Sequence, residues 1–207
     1  MNRVGLIVGA LMLAGCASTP TVSENQCRAG DWQTIGYGDG MVGRASTRLL
    51  MHQDACGEFG IVPLREEYLA GWQDGLRTYC TAGNGFHIGQ RGGQLNQVCS
   101  GALRDQFAAA HADGRRLYQA RRDVQHWSAT LSQQEDRLRQ IKQEIIGVTT
   151  AQLTPDLSAE ERVRLLAALE DLAEERAAIK NDLPNTQHAL REAELHLADL
   201  DQALAAR

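Results

Sequence analysis

Apolar residues recur through the second half of the chain with the period of a coiled coil. Leu117, Val124, Leu131, Leu138 and Ile145 stand seven residues apart, and Ala120, Trp127, Gln134, Ile141 and Val148 follow three places after each. A heptad seam sustained this long predicts one extended helix. Gly147, Thr149, Thr150, Pro155 and Asp156 interrupt it, and Ser158 with Glu161 three residues on has the form of a capping box opening a second helix. The second seam runs through Leu165, Leu172, Ile179, Thr186, Ala193 and Leu200, with Leu169, Arg176, Leu183, Leu190, Leu197 and Leu204 in the companion row. Two seams joined by a short connection, about 147–158, predict an antiparallel hairpin, reaching roughly 60 Å at ~1.5 Å per residue. Pro184, inside the return helix, predicts a bend or short break between Asn181 and Asn185. Gln134 and Arg176 are polar residues at seam positions, a device that fixes register or partner choice.

The first half is patterned differently: fifteen glycines fall between Gly30 and Gly101, and only Gly114 and Gly147 come later. The shift near residue 102 separates a glycine-rich part from the hairpin. Trp32 is followed by Gly36, Asp39 and Gly40, Tyr68 by Gly71, Asp74 and Gly75, and Phe107 more loosely by His111, Asp113 and Gly114. On a helix the paired glycines share one face, where another backbone can approach closely. This predicts helices over 31–51 and 65–80, a turn over 57–63, and a glycine-rich loop over 83–93. Because each helical glycine costs about 0.8–1.0 kcal/mol relative to alanine, such helices need packing or crosslinks.

The start of the chain is a third pattern. Arg3 precedes an apolar run from Val4 to Leu13, then Ala14, Gly15 and Cys16. That is a signal peptide, and the run is too short for a spanning helix, which needs roughly 20 residues. Leu13-Ala14-Gly15-Cys16 resembles the bacterial lipobox, which implies cleavage before Cys16 and acylation there. Residues 1–15 are then the signal and 16–26 a tether. With Ala17 in place of an aspartate, the expected address is the outer membrane, facing the periplasm. Cys27, Cys56, Cys80 and Cys99 remain, an even number in an oxidising compartment and hence two disulfides. Their gaps of 29, 24 and 19 residues are far wider than the two to four within zinc-ligand pairs. The 80–99 loop favours Cys80–Cys99 with Cys27–Cys56, whereas a single straight helix over 31–51 favours a crossed pairing. Loss of Arg3 with the signal takes the formal charge from −5 to −6, which argues against nucleic-acid binding.

The expected architecture is therefore mainly α: a small disulfide-stapled, glycine-rich helical domain over 27–101, followed by a long antiparallel coiled-coil hairpin over 102–207. The string Asp31-Trp32, Gly36, Asp39-Gly40, Gly43, His52, Cys56, Tyr68, Gly71, Gly75, Tyr79-Cys80, Asn84-Gly85, Gly89, Gly93 and Cys99 resembles a family of Gram-negative lipoproteins, the domain of unknown function 2799, over roughly residues 25–120. The resemblance implies an envelope lipoprotein without an assigned activity, and it supplies no catalytic residues.

Candidate chemistry is sparse. Asp39, Asp74 and Asp113 would need to converge in a cleft to act as acid and base. His52, His87 and His111 lack a free thiolate partner once the cysteines are oxidised. No serine elbow or phosphate loop is present. A non-enzymatic adaptor is expected, with no cofactor or metal, a bilayer contact through Cys16 and a protein partner for the coiled coil. The alternative is a glycan-binding module using Trp72, Phe86 and His87. Arg115 and Arg116, with Arg121 and Arg122, form a basic patch suited to anionic glycan or lipid headgroups.

Overall fold

The computed structural model describes residues 21–206; the signal run and Cys16 lie outside the described residues. Among the described residues there are helices α1 (Glu24–Ala29), α2 (Trp32–Met41), α3 (Arg48–Gly57), α4 (Arg65–Tyr79), α5 (Ala82–Gln90), α6 (Gly101–Ala151) and α7 (Ala159–Ala205), and no strand. None of these helices is long and apolar enough to cross a membrane. The chain divides into two units, one ending at Tyr79 and the next starting at Cys80. That boundary lies well before the compositional shift at 102, because α5 packs on α6 and belongs with the hairpin.

In the first unit the expected tether is partly built into the fold. Ser23 and Gln26 form a reciprocal capping box that starts α1, and Val22 is buried in a core with Cys27, Trp32, Leu49, Cys56 and Tyr68. The single helix expected over 31–51 is two. Helix α2 stops at Met41 because Gly43 takes a left-handed backbone, φ 71°, and the Tyr79 ring fills the place its Cβ would need. The chain then returns along α3, bringing Cys56 to 5.6 Å Cα–Cα from Cys27, and the two are bridged. The crossed disulfide pairing is thereby excluded, and Cys80 bonds Cys99.

The stretch expected to be a loop over 83–93 is helix through Gln90. The Thr81 side chain caps it by accepting from the Asn84 N–H at 3.2 Å, and Gly85 and Gly89 let the α6 backbone close in at Phe107 and His111. Tertiary packing has overridden glycine's poor helix propensity.

Each unit is organised around the same helix pair. In α2, Gly36 and Gly40 lie against the carbonyls of Tyr68 and Trp72 of α4; in α5, Gly85 and Gly89 lie against those of Phe107 and His111 of α6. The reciprocal glycines are Gly75, against Tyr37 and Met41, and Gly114, against Phe86 and Gln90. Gly43 under the Tyr79 ring matches Gly92, φ 80°, under the Tyr118 ring. A constant shift of 49 residues relates the first helices and one of 39 the second, as the numbers of these pairs show. The equivalence extends to polar contacts. Trp72 Nε1–H donates to the Arg44 carbonyl at 2.8 Å, and His111 Nε2, 39 residues on, bonds the Gly93 carbonyl, 49 residues on, at 2.9 Å. Since a carbonyl only accepts, His111 carries its proton on Nε2. Asp74 pairs with Arg77 as Asp113 does with Arg116. In both copies one disulfide joins the residues flanking the first helix of the pair.

The hairpin follows the heptad reading. Ser158 and Glu161 form the capping box of α7. Gln134 donates to Asp182, Arg137 grips Glu175 with two hydrogen bonds, and Arg121 meets Asp201. Partner numbers fall on α7 as they rise on α6, so the helices are antiparallel. The pairing extends from Arg121 to the turn after Ala151, about 45 Å at ~1.5 Å per residue. Two details narrow the sequence reading: α7 is continuous through Pro184, which removes the short break as an alternative there, and Arg176 points to solvent while Glu175 faces α6.

The helix contacts predict opposite outcomes for neighbouring glycines. A Cβ on Gly36 would stand within 3.0 Å of the Tyr68 carbonyl, while one on Gly38 meets nothing within 4 Å. Gly36→Ala should cost about 3 kcal/mol, the upper range for overpacking, and Gly38→Ala should stabilise by up to about 1 kcal/mol. Urea denaturation followed by circular dichroism separates the two.

Candidate functional site

The polar cluster most like a functional site lies inside the first unit. Asp39 is on α2, one residue before the glycine that meets α4; Arg48 and His52 are on α3 one turn apart; Tyr68 begins the buried face of α4. Helix packing aims all four at one point. Asp39 Oδ2 accepts from the Tyr68 hydroxyl and from His52 Nε2, each at 2.8 Å. Arg48 Nε stands 3.2 Å from Asp39 Oδ1 in an ion-pair contact outside hydrogen-bond geometry. Asp39 accepts from His52 Nε2–H, and the other ring nitrogen, Nδ1, is hydrogen-bonded to the Thr21 hydroxyl 2.7 Å away. His52 is 1% exposed.

The electrostatics follow from this packing. Burial alone raises the Asp39 carboxyl, but the hydrogen bonds from His52 and Tyr68 and the attraction of His52 and Arg48 outweigh it and hold the group below the ordinary carboxylate range. Burial first, and then the bond to Asp39, push the Tyr68 phenol upward. The phenol therefore stays a donor and the carboxylate an acceptor across the physiological range.

Thr21, His52 and Asp39 are in line in the order hydroxyl, imidazole, carboxylate. As chemistry the arrangement is closed: His52 is buried, and Asp39 already has three partners. The nearest depression described in this unit, lined by Gln33, Thr34, Tyr37, Gly71 and Asp74, holds about 200 Å³, below the roughly 300–1,000 Å³ of ligand pockets. The cluster is built to hold elements together.

The second helix pair lacks it. By the same shifts Asp39 corresponds to Ile88 and Tyr68 to Phe107, so donor and acceptor are replaced together by apolar side chains. Helix α3 has no counterpart either, since Gly92 and Cys99 are joined without a helix. The pair folds without the polar cluster, which serves the segments peculiar to the first unit: α3 and the chain entering at Thr21.

The residues expected from sequence are dispersed. Asp74 and Asp113 are engaged by Arg77 and Arg116 on their own helices instead of joining Asp39. His111 bonds Gly93 and His87 accepts from Gln90. Among the described residues no group of three or more His, Cys, Asp or Glu is placed to hold a metal ion. Trp32 is buried, Trp72 is half-buried with its indole N–H committed to Arg44, and Phe86 is half-buried on α5. Of the stretch expected to present glycan contacts, the part that carries Phe86 and His87 is helix, through Gln90. Arg115 donates to the Gly92 carbonyl and lies over the Tyr118 ring, and Arg116 is paired with Asp113, so part of the basic patch is spent locally. Thr21, Arg48 and Tyr68 were not expected as cluster members. The signal for Tyr68 was its exchange for phenylalanine in step with that of Asp39 for isoleucine.

Asp39 gives a pH prediction. Its folded-state pKa lies below the unfolded value near 4, so its contribution is complete above that range and is lost as pH falls through the folded value. Asp39→Asn should lower stability at neutral pH by about 2 kcal/mol, as for hydrogen bonds to a charged group. It should also flatten the loss of stability below about pH 4, as read by urea titrations at a series of pH values. Equal acid sensitivity in both proteins would contradict the assignment.

No curated protein and no solved structure matches the chain. Residues 31–116, which hold both glycine-faced contacts and every member of the polar cluster except Thr21, match the family described as protein of unknown function (DUF2799).

Proposed function

We propose that the protein is a cell-envelope lipoprotein, acylated at Cys16 and held at the periplasmic face of the outer membrane, whose hairpin is a protein-interaction arm. The observation that carries the adaptor reading is the placement of exposed apolar residues at the turn of the hairpin. Ile146 on the last turns of α6, Leu153 in the connection, and Val163 and Leu166 on the first turns of α7 are all exposed, Leu153 by 78%. Leu153 and Leu166 line a depression with Gln152 and Arg162. Val163 and Leu166 are three apart and share a face, turned away from the seam residues Leu165 and Leu169, which are half-buried. An apolar cluster rimmed by arginine and glutamine has the composition of an interface centre. Two disulfides fit an oxidising compartment, and the lipobox supports the anchor.

The seam contacts leave this end free to act. Arg137 is raised by its hydrogen bonds to Glu175 and Glu144, and Glu175 is lowered in turn by Arg137. The Gln134–Asp182 and Arg137–Glu175 contacts mark the register well inside the hairpin.

A photoreactive residue at Leu153 or Leu166 in intact cells should capture the same protein from both positions, and Val163→Asp should abolish that capture without reducing helicity. Capture of glycan alone, or no protein common to the two sites, would refute the adaptor reading. Intact-mass analysis of the amino-terminal peptide should show an acylated Cys16, absent in Cys16→Ser.

A further inference from the structure

Between Gly43 and Cys56 the first unit carries α3, which its internal copy lacks between Gly92 and Cys99, and this segment has an unusual surface. From Met41 to Gln53 there is no acidic residue, while Arg44 and Arg48 lie within it. Met41, Val42, Leu50 and Met51 are exposed on it, the two α3 residues by more than half, and Arg44 is exposed as well. Leu49, between them, is buried and fastens the segment to the core. Exposed apolar side chains beside an exposed arginine, with the first exposed acid, Asp54, one turn further along α3, are the composition of a surface that enters the headgroup layer of a bilayer.

The polar cluster places this segment. Thr21 bonds His52, which is the next residue after Met51, and Val22 is buried in the core. The chain is therefore fixed to the unit from Thr21 onward, beside α3. Cys16 is five residues earlier, and five residues span at most about 17 Å when fully extended. An acyl chain on Cys16 lies in the hydrocarbon layer, so Thr21 stays within that distance of the membrane, and α3, which His52 ties to Thr21, stays close to it.

We infer that residues 41–51 form a membrane-docking surface, held against anionic phospholipid headgroups by the Thr21–His52–Asp39 clamp, so that the first unit lies on the bilayer in one orientation. The inference rests on the acylation of Cys16 proposed above. Its occupant is the lipid bilayer, selected by the short distance from the anchor and by the exposed Arg44, since Arg48 is paired with Asp39. It also accounts for a network retained in one helix pair and replaced by isoleucine and phenylalanine in the other: only the first pair has α3 and an entering chain to hold.

The test uses the full-length acylated protein in vesicles of phosphatidylethanolamine and phosphatidylglycerol. With Cys16 acylated and the other four cysteines in disulfides, Leu50→Cys or Met51→Cys provides a single free thiol for a fluorophore. Lipids bearing a nitroxide in the headgroup should quench both positions strongly. Thr21→Val, which removes the clamp's hydroxyl and keeps its shape, should cut that quenching severalfold while the protein stays vesicle-bound, and Arg44→Glu should reduce it in vesicles with phosphatidylglycerol. Acylated, vesicle-bound protein with unquenched labels at both positions would overturn the docking surface and leave the lipoprotein reading intact. A chain found unacylated by mass analysis would overturn both.

Discussion

Close approach of two helix backbones across glycine is the contact on which the rest of the structure depends. In each pair the carbonyls of one helix occupy the volume that a Cβ on the other would need, so separation is set by main chain against main chain. Such a contact gains from dense packing, but every glycine that permits it costs about 0.8–1.0 kcal/mol of helix propensity. A ten-residue helix such as α2, with three glycines, is too weak to persist alone, given the nucleation cost of short helices. Its disulfide, from Cys27 before it to Cys56 after it, closes a loop of about thirty residues, for which the chain-entropy model gives about 3–4 kcal/mol. The same account holds for α5 and Cys80–Cys99. Staple and glycine face depend on each other, and this is why they occur together twice.

Two copies of one arrangement in one chain provide an internal comparison. Where the Asp39–Tyr68 pair stands in the first, the second has Ile88 and Phe107, a replacement of buried polar by apolar groups that folds tolerate well. The polar cluster is thus no requirement of the helix pair. Its retention next to α3 and Thr21 gives it a local purpose, since hydrogen bonds are directional where apolar contact is not. A carboxylate that accepts from both His52 and Tyr68, with Arg48 paired beside it, fixes how α3 is rotated.

The hairpin was legible because its signal is periodic: heptads state which face is buried, and Ser158 with Glu161 marks where α7 begins. The glycine-rich part was legible in kind and misread in detail. Residues 83–93 carry five glycines, and propensity favours a loop; what makes α5 a helix is the α6 backbone, a partner that no local pattern reveals. Gly43 broke the expected 31–51 helix through a left-handed backbone, and its cue, the tyrosine that covers it, is 36 residues away. The recurrence of aromatic, aspartate and glycine was visible, but grouping Trp32 with Tyr68 and Phe107 joined unlike helices. The true copies are Tyr68 with Phe107, on α4 and α6, and Gly36-Gly40-Gly43 with Gly85-Gly89-Gly92. The cluster was harder still, because Thr21, Asp39, His52 and Tyr68 come from four segments, each polar residue unremarkable in its own neighbourhood.

The hairpin and the first unit divide the polar residues according to what each must specify. In the hairpin Gln134 reaches Asp182 and Arg137 reaches Glu175 at exposed or half-exposed positions, where ion pairs contribute little to stability. Their value is register: sliding α7 by one turn would separate both contacts and leave Gln134 facing an apolar row. With register set mid-hairpin, the residues at the turn are released from any packing duty, and their apolar character there has no intramolecular explanation. A solvated turn held by a capping box, by backbone hydrogen bonds and by Arg162 on the Gln152 carbonyl would be expected to be polar. Leu153, Val163 and Leu166 are instead exposed in a part of the chain whose geometry is already determined, which is the condition for a surface that can be complementary to something else without first being ordered by it.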